Sequence, residues 1–237
     1  MGTDTQPDMT PLSHEVTVAM HEFAALLPAG MPVTIEQNLV ISRLTAYLNL
    51  LADAGRVMNL TSDPNPSVVL SRHVRDSLAP LLLGLAAPRQ LLDIGSGGGF
   101  PAIPLALAWP SSSVTMTESI GKKARFLQDA VESLPLVNAQ VVQGRVEDPA
   151  TGLPRRTFDM VTVRGVARVA TVFDYAEPLL ATPGGKLVLW KGERDLAELT
   201  SRALNHRLRK AHCKVSVCRY SLPGVERNAN LVILEMI

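Results

Sequence analysis

The chain has 237 residues, 46% hydrophobic and 19% charged, which is the make-up of a folded domain and excludes a disordered or low-complexity chain. Its formal net charge of +1 excludes a polycation, so any contact with nucleic acid must come from a local patch. Two cysteines, no charged-then-apolar leader and no apolar run of about 18 residues point to a reducing, cytoplasmic setting and exclude a membrane span.

Residues 1–13 are polar, contain two prolines and read as a loose tail. An amphipathic helix is predicted from His14 to Leu27, ended by Pro28-Ala29-Gly30. A second is predicted from Ile35 to Ala54, because Leu39, Val40, Leu44, Tyr47, Leu48 and Leu51 recur at helical spacing and Gly55 follows. Asn65-Pro66 introduces a third, Ser67 to Leu83, carrying Arg72-His73-Val74-Arg75-Asp76-Ser77. On that helix Arg72 and Asp76 are four apart and are expected to pair, and Asp76 is placed to orient His73.

From Gln90 onward strands alternate with helices. Strands are predicted at Leu91–Ile94, Val114–Thr117, Gln140–Val142, Phe158–Val163 and Lys186–Trp190, with helices after the first, second and fourth. One helix is then predicted from Glu193 to Ala211. Two final strands, Val215–Tyr220 and Leu231–Glu235, are joined only by a turn around Pro223-Gly224, so one of them must run antiparallel. Cys213 and Cys218 sit five apart on a strand and face opposite ways, so neither a disulfide nor a metal pair is expected. The expectation is one α/β domain over residues 14–237. Its Rossmann-like core (89–237) holds a seven-stranded, mainly parallel sheet with one antiparallel strand, preceded by a helical part (14–88).

The first strand runs into Asp93-Ile94-Gly95-Ser96-Gly97-Gly98-Gly99. A strand-to-helix turn of this kind needs glycine for its dihedrals and for close approach of a ligand to backbone. A Walker loop requires Gly-Lys-Ser/Thr, which is absent. A dinucleotide loop requires a third glycine where Phe100 stands, which argues against a nicotinamide-dependent oxidoreductase. What remains is the loop that class I methyltransferases lay under S-adenosylmethionine. Glu118, at the end of the second strand, is then the acid for both ribose hydroxyls.

The stretch from Leu92 to Leu105, with Pro101 and Pro104 directly after the glycines, resembles the bacterial RsmG (GidB) family, enzymes that methylate N7 of a guanine in 16S ribosomal RNA. The resemblance extends over Ile35 to Ile237 through Asn59-Leu60-Thr61, Arg72 to Leu78, Glu118 to Lys123, Gly144 to Glu147, Arg164 and Lys191-Gly192. It implies that Gly95, Gly97, Phe100 and Glu118 bind the cofactor. It also implies that Val146 and Glu147 meet the adenine, and that Arg164 borders both cofactor and guanine and is the candidate catalytic residue. One position departs: Val163-Arg164-Gly165 stands where the family usually has Ser-Arg-Ala, so the arginine loses a hydroxyl neighbour.

Guanine N7 carries no proton at neutral pH, so the chemistry needs positioning more than a general base. An arginine can donate to guanine O6 or to a phosphate; without a ligand, Arg164 would pair with Asp159 or Glu147. For RNA, the candidates are His73 and the run from Leu199 to Val225, which holds no acid and includes Arg207, Arg209 and Lys210. A solvated helix face is the plain alternative for that run. Aromatic residues, at 4%, are too few for a base-stacking platform. The partner expected is ribosomal RNA or the small subunit, met by a monomer with no metal. The competing readings are a methyltransferase of a small molecule or protein, and an RNA-binding module without catalysis.

Overall fold

A computed structural model describes residues 10–31, 35, 37–165, 167–222, 224–225 and 229–237. Its centre is a seven-stranded sheet in the order β3-β2-β1-β4-β5-β7-β6. The strands are β1 (Gln90–Ile94), β2 (Ser113–Glu118), β3 (Ala139–Gln143), β4 (Met160–Arg164), β5 (Lys186–Lys191), β6 (Cys213–Tyr220) and β7 (Ala229–Met236). Strands β1 to β5 pair in parallel, and β7 runs antiparallel to both β5 and β6. The one reversed strand is therefore β7, placed between two strands of the common direction.

The central strands are apolar nearly throughout because helices cover both of their faces. One face packs on α1 (Pro11–Ala24), α2 (Asn38–Gly55), α6 (Ala102–Ala108) and α7 (Gly121–Ser133), through Phe23, Tyr47, Leu48, Leu105 and Leu127. The other packs on α8 (Val169–Ala176) and α9 (Arg202–Lys210), through Val172, Phe173, Leu204 and Leu208. Chain order runs outward from β1 to β3 on one side and resumes at β4 on the other. The crevice at the carboxyl ends of β1 and β4 is thus the topological switch point, where open α/β sheets bind ligands.

Several predicted elements change on folding. Thr10 caps α1 by accepting from the Ser13 backbone, so 11–13 are helical rather than tail; residues 1–9 lie outside the described residues. Leu39 follows the apolar period of α2 but is 57% exposed. The predicted helix from Glu193 to Ala211 is two pieces, a 3₁₀ stretch (Glu193–Thr200) and α9. Ser201 separates them, its hydroxyl accepting from Leu204 N at 3.4 Å.

The third predicted helix is the most altered. It starts as α3 (Pro66–Val69), widens into a π turn (Leu70–Val74), then continues as α4 (Arg75–Ser77) and α5 (Ala79–Leu82). Pro80 has no N–H to give the Asp76 carbonyl four residues back, and that oxygen instead accepts from the Trp190 indole at 2.9 Å. The wide turn also changes which side chains share a face, and π bulges gather at functional sites. Asp76 finds other partners than Arg72.

Arg75, on α4, faces α1 rather than the crevice. It is 6% exposed; its Nη1 stands 4.0 Å from Glu22, while Nε and Nη2 have no partner. A buried guanidinium so weakly matched costs more than an apolar side chain of similar size. Arg75→Met should therefore raise unfolding stability by about 1–3 kcal/mol in a denaturant titration, with the sheet unchanged. A less stable variant would show that the Glu22 contact outweighs burial.

Candidate active site

The turn after β1 has the predicted form. Gly95, Gly97 and Gly99 take φ of +73°, +56° and +98°. At Gly99 the requirement is also spatial: a Cβ would lie 2.6 Å from Ile103 Cδ1 and 2.8 Å from the Tyr47 hydroxyl. At Gly97 it would meet nothing nearer than the Gly95 carbonyl at 3.9 Å, so the backbone there faces open space. The Tyr47 hydroxyl donates to the Gly98 carbonyl, tying α2 to the loop. Pro104 falls in the first turn of α6, where a missing N–H forfeits no helical bond.

Glu118 closes β2 and is 6% exposed. Its Oε2 accepts from Gly97 N at 2.9 Å and its Oε1 from Ile120 N at 2.8 Å. The acid therefore braces the glycine turn, and each oxygen keeps a lone pair for a diol. Ile120, 47% exposed, adds an apolar surface beside it. Across the turn, Phe100 is 8% exposed; its ring centroid is 5.5 Å from that of Tyr47 and 5.4 Å from that of His73. Val146 is half-buried against the second core, while Glu147 is exposed and lies 3.9 Å from Arg145.

Asp93 is fully buried below the loop. Its Oδ1 accepts from the Thr162 hydroxyl at 2.6 Å, and its Oδ2 has no partner. Burial lifts its pKa from 3.8 to about 6, against the nearby hydroxyls of Ser96 and Thr162, of which only Thr162 bonds the carboxylate, and against the Arg164 charge. Folding thus favours the protonated acid. This contribution to stability is complete below pH 3.8 and lost as pH rises through about 6. In the ligand-free protein, Asp93→Asn should raise stability at pH 7 by about 1–2 kcal/mol and flatten its pH dependence between 4 and 6. A drop in stability at pH 7 would contradict this.

Arg164 ends β4 and reaches over the crevice. Its Nη2 donates to Asp76 Oδ2 at 3.0 Å and to His73 Nδ1 at 2.8 Å, and its Cζ lies 5.9 Å from the Phe100 ring centre. Neither Asp159 nor Glu147 is its partner: Asp159 accepts from the Arg89 and Gln90 amides, at the amino ends of β1 and β4, opposite the crevice. Burial, then the Arg164 and Arg72 charges, lowers the His73 pKa to about 4. The ring is neutral at working pH, and since Nδ1 accepts, the proton sits on Nε2. Val163 alternates to the opposite side and is 2% exposed in the second core, so the side chain that departs from the family pattern does not face the crevice.

The basic run divides. Helix α9 carries the chain from the carboxyl end of β5 back to the start of β6, so Arg207, Arg209 and Lys210, in its last turn, sit toward the opposite edge from Arg164. Arg207 pairs with Asp174 at 2.7 Å, and Arg219 with Glu193 at 2.7 Å. The run is acid-free in sequence, but acids from α8 and the 3₁₀ stretch neutralise part of it. Exposed cations also follow the carboxyl ends of the parallel strands, Lys122 after β2, Arg168 after β4 and Arg194 after β5, and Arg72 is exposed next to His73.

Tyr220, Trp190 and Tyr47 are not legible as site residues, and Asp76 is legible only as a partner of Arg72 or His73, not of Arg164 and Tyr220. Tyr220 ends β6 and its hydroxyl donates to Asp76 Oδ1. Nothing in local spacing joins residues 144 positions apart. Cys213 and Cys218 are both free thiols, and burial, then Glu235, raises the Cys213 pKa to about 11. Among the described residues no group of His, Cys, Asp and Glu is placed to hold a metal, and no helix is long and apolar enough to cross a membrane.

The family described as rRNA small subunit methyltransferase G matches residues 40–224. A protein of Sorangium cellulosum named Ribosomal RNA small subunit methyltransferase G is 41% identical over 72% of both chains. A namesake from Chloroflexus aggregans is 35% identical over 87% of this chain and 85% of its own. Among solved structures, an O-methyltransferase from Bacillus cereus in complex with SAH superposes with a TM-score of 0.60, covering 95% of this chain and 100% of that one. At 16% identity it shares the fold.

Proposed function

The chain belongs to the rRNA small subunit methyltransferase G family, and we propose that it transfers a methyl group from S-adenosylmethionine to N7 of a guanine in 16S ribosomal RNA. The observation that carries this reading is the open backbone over Gly97, with Glu118 on one side and Arg164 on the other, at the switch point of the sheet. When bound, S-adenosylmethionine supplies an activated methyl group on a sulfonium.

The residues present fit such a cofactor. Glu118 keeps acceptor capacity for a ribose, Ile120 and Val146 offer apolar surface for an adenine, and Asp93 Oδ2 is a buried acceptor awaiting a donor. Phe100, its ring tilted against those of Tyr47 and His73, walls the crevice against water. Arg164 is the group that meets the guanine: two of its donors serve Asp76 and His73, and others remain for O6 beside the reacting nitrogen. No residue has to remove a proton, which suits a neutral His73 and a buried Asp93 already bonded to Thr162. The exposed Lys122, Arg168 and Arg194 follow the carboxyl ends of β2, β4 and β5, and with the exposed Arg72 they offer cations on the side where a phosphate backbone would approach. Calorimetry with S-adenosylhomocysteine and with NAD tests the cofactor assignment. Micromolar-class binding of the first alone is expected, and preferential NAD binding would overturn it.

A further inference from the structure

The Arg164 guanidinium is aimed by groups outside the glycine motif. Asp76 spends both carboxylate oxygens on fixed partners: Oδ2 takes Arg164 Nη2 at 3.0 Å, and Oδ1 takes the Tyr220 hydroxyl. A carboxylate with one partner still turns about its Cβ–Cγ bond; held from both oxygens, it does not. The backbone beneath it is fixed as well, because the Trp190 indole donates to the Asp76 carbonyl that Pro80 leaves free.

Each anchor comes from a different part of the fold. Asp76 lies on α4, just past the π turn, Tyr220 at the end of β6, and Trp190 on β5. Tyr220 is 7% exposed and Trp190 9%, while the Arg164 and Asp76 side chains are 18% and 17% exposed. The charged pair is thus screened enough to be directional and open enough to reach a ligand. Burial, then the Asp76 charge, holds the Tyr220 phenol well above its ordinary pKa, so it stays a donor.

We propose that Tyr220 and Asp76 are a positioning pair for methyl transfer, setting the direction of Arg164 without touching the substrate themselves. This rests on the reading of Arg164 as the guanine-facing residue. The two hydrogens on Nη2 are consumed by Asp76 and His73, and one on Nη1 reaches the His73 carbonyl at 3.5 Å, which leaves Nε and the second Nη1 hydrogen as the donors for the base. Without the Tyr220 hydroxyl, Asp76 swings, and Arg164 keeps its charge but loses its angle.

The test is methylation of purified small ribosomal subunits that lack the modification, using radiolabelled S-adenosylmethionine. Tyr220→Phe should lower kcat by about tenfold, the worth of one hydrogen bond to a charged group, with KM for subunits and affinity for S-adenosylhomocysteine changed less than about twofold. Asp76→Asn should lose at least as much kcat. In an Arg164→Ala background, Tyr220→Phe should add nothing, because its effect runs through that arginine. Full kcat in Tyr220→Phe, or a further tenfold loss in the Arg164→Ala background, overturns the positioning role while leaving the site assignment intact. No methylation by the wild-type protein overturns the parent reading, and the pair's role with it.

Discussion

Arg164→Ala is expected to lower methyl-transfer turnover by about 10²–10³-fold, the usual loss when one preorganised donor is removed from a developing charge. Affinity for S-adenosylhomocysteine should stay within a few-fold, since the glycine turn is built by Gly95, Gly97, Glu118 and Thr117 without Arg164. Stability should fall modestly, because Asp76 keeps Tyr220 and stands partly in solvent. Arg164→Lys should rescue little: an ammonium cannot hold Asp76 and His73 and still present a planar set of donors. Single-turnover assays on ribosomal subunits separate these effects. Loss of cofactor affinity matching the loss of turnover would make Arg164 a cofactor-binding residue and no more.

Gly97→Arg is the second large effect expected, now on binding. The position combines φ of +56° with unoccupied space, so a long side chain would extend where a ligand must lie. Strain alone contributes about 1–2 kcal/mol for a non-glycine residue in this conformation. Gly97→Ala isolates that part, because its Cβ would find nothing closer than 3.9 Å. Calorimetry should show Gly97→Ala weakened by about tenfold and Gly97→Arg by more than about a hundredfold, in a chain that still unfolds cooperatively. Equal losses in the two variants would place the effect in the backbone and not in ligand space.

These expectations differ in how far the amino-acid order reveals them. The Asp93-to-Gly99 turn and Glu118 depend on local dihedrals and on strand ends, so spacing alone places them. The seven strands emerge the same way, from short apolar runs bounded by turns. The bracing of Gly97 by Glu118 was hidden, because it requires β1 and β2 to lie in parallel register. The Arg72–Asp76 pairing expected of a regular helix fails at the π turn, which only tertiary packing sets. Asp76 is instead claimed by Arg164 and Tyr220, both from distant strands.

Charge misled for a related reason. An acid-free run suggests a positive surface, yet Asp174 and Glu193 approach it from other elements. The direction of α9 then carries Arg207, Arg209 and Lys210 away from the crevice. The departure of Val163-Arg164-Gly165 from the family's usual Ser-Arg-Ala likewise raises a question that strand alternation answers. Val163 belongs to the second core, and Gly165 takes φ of +70° with nothing within 4 Å of its Cβ direction.

The most direct test of the account is mass-spectrometric mapping of methylated nucleosides in 16S ribosomal RNA, after small subunits lacking the modification are incubated with the protein and S-adenosylmethionine. One new 7-methylguanosine is expected with the wild-type chain and almost none with Arg164→Ala. An RNA without 7-methylguanosine, or one methylated at a different kind of atom, would contradict it.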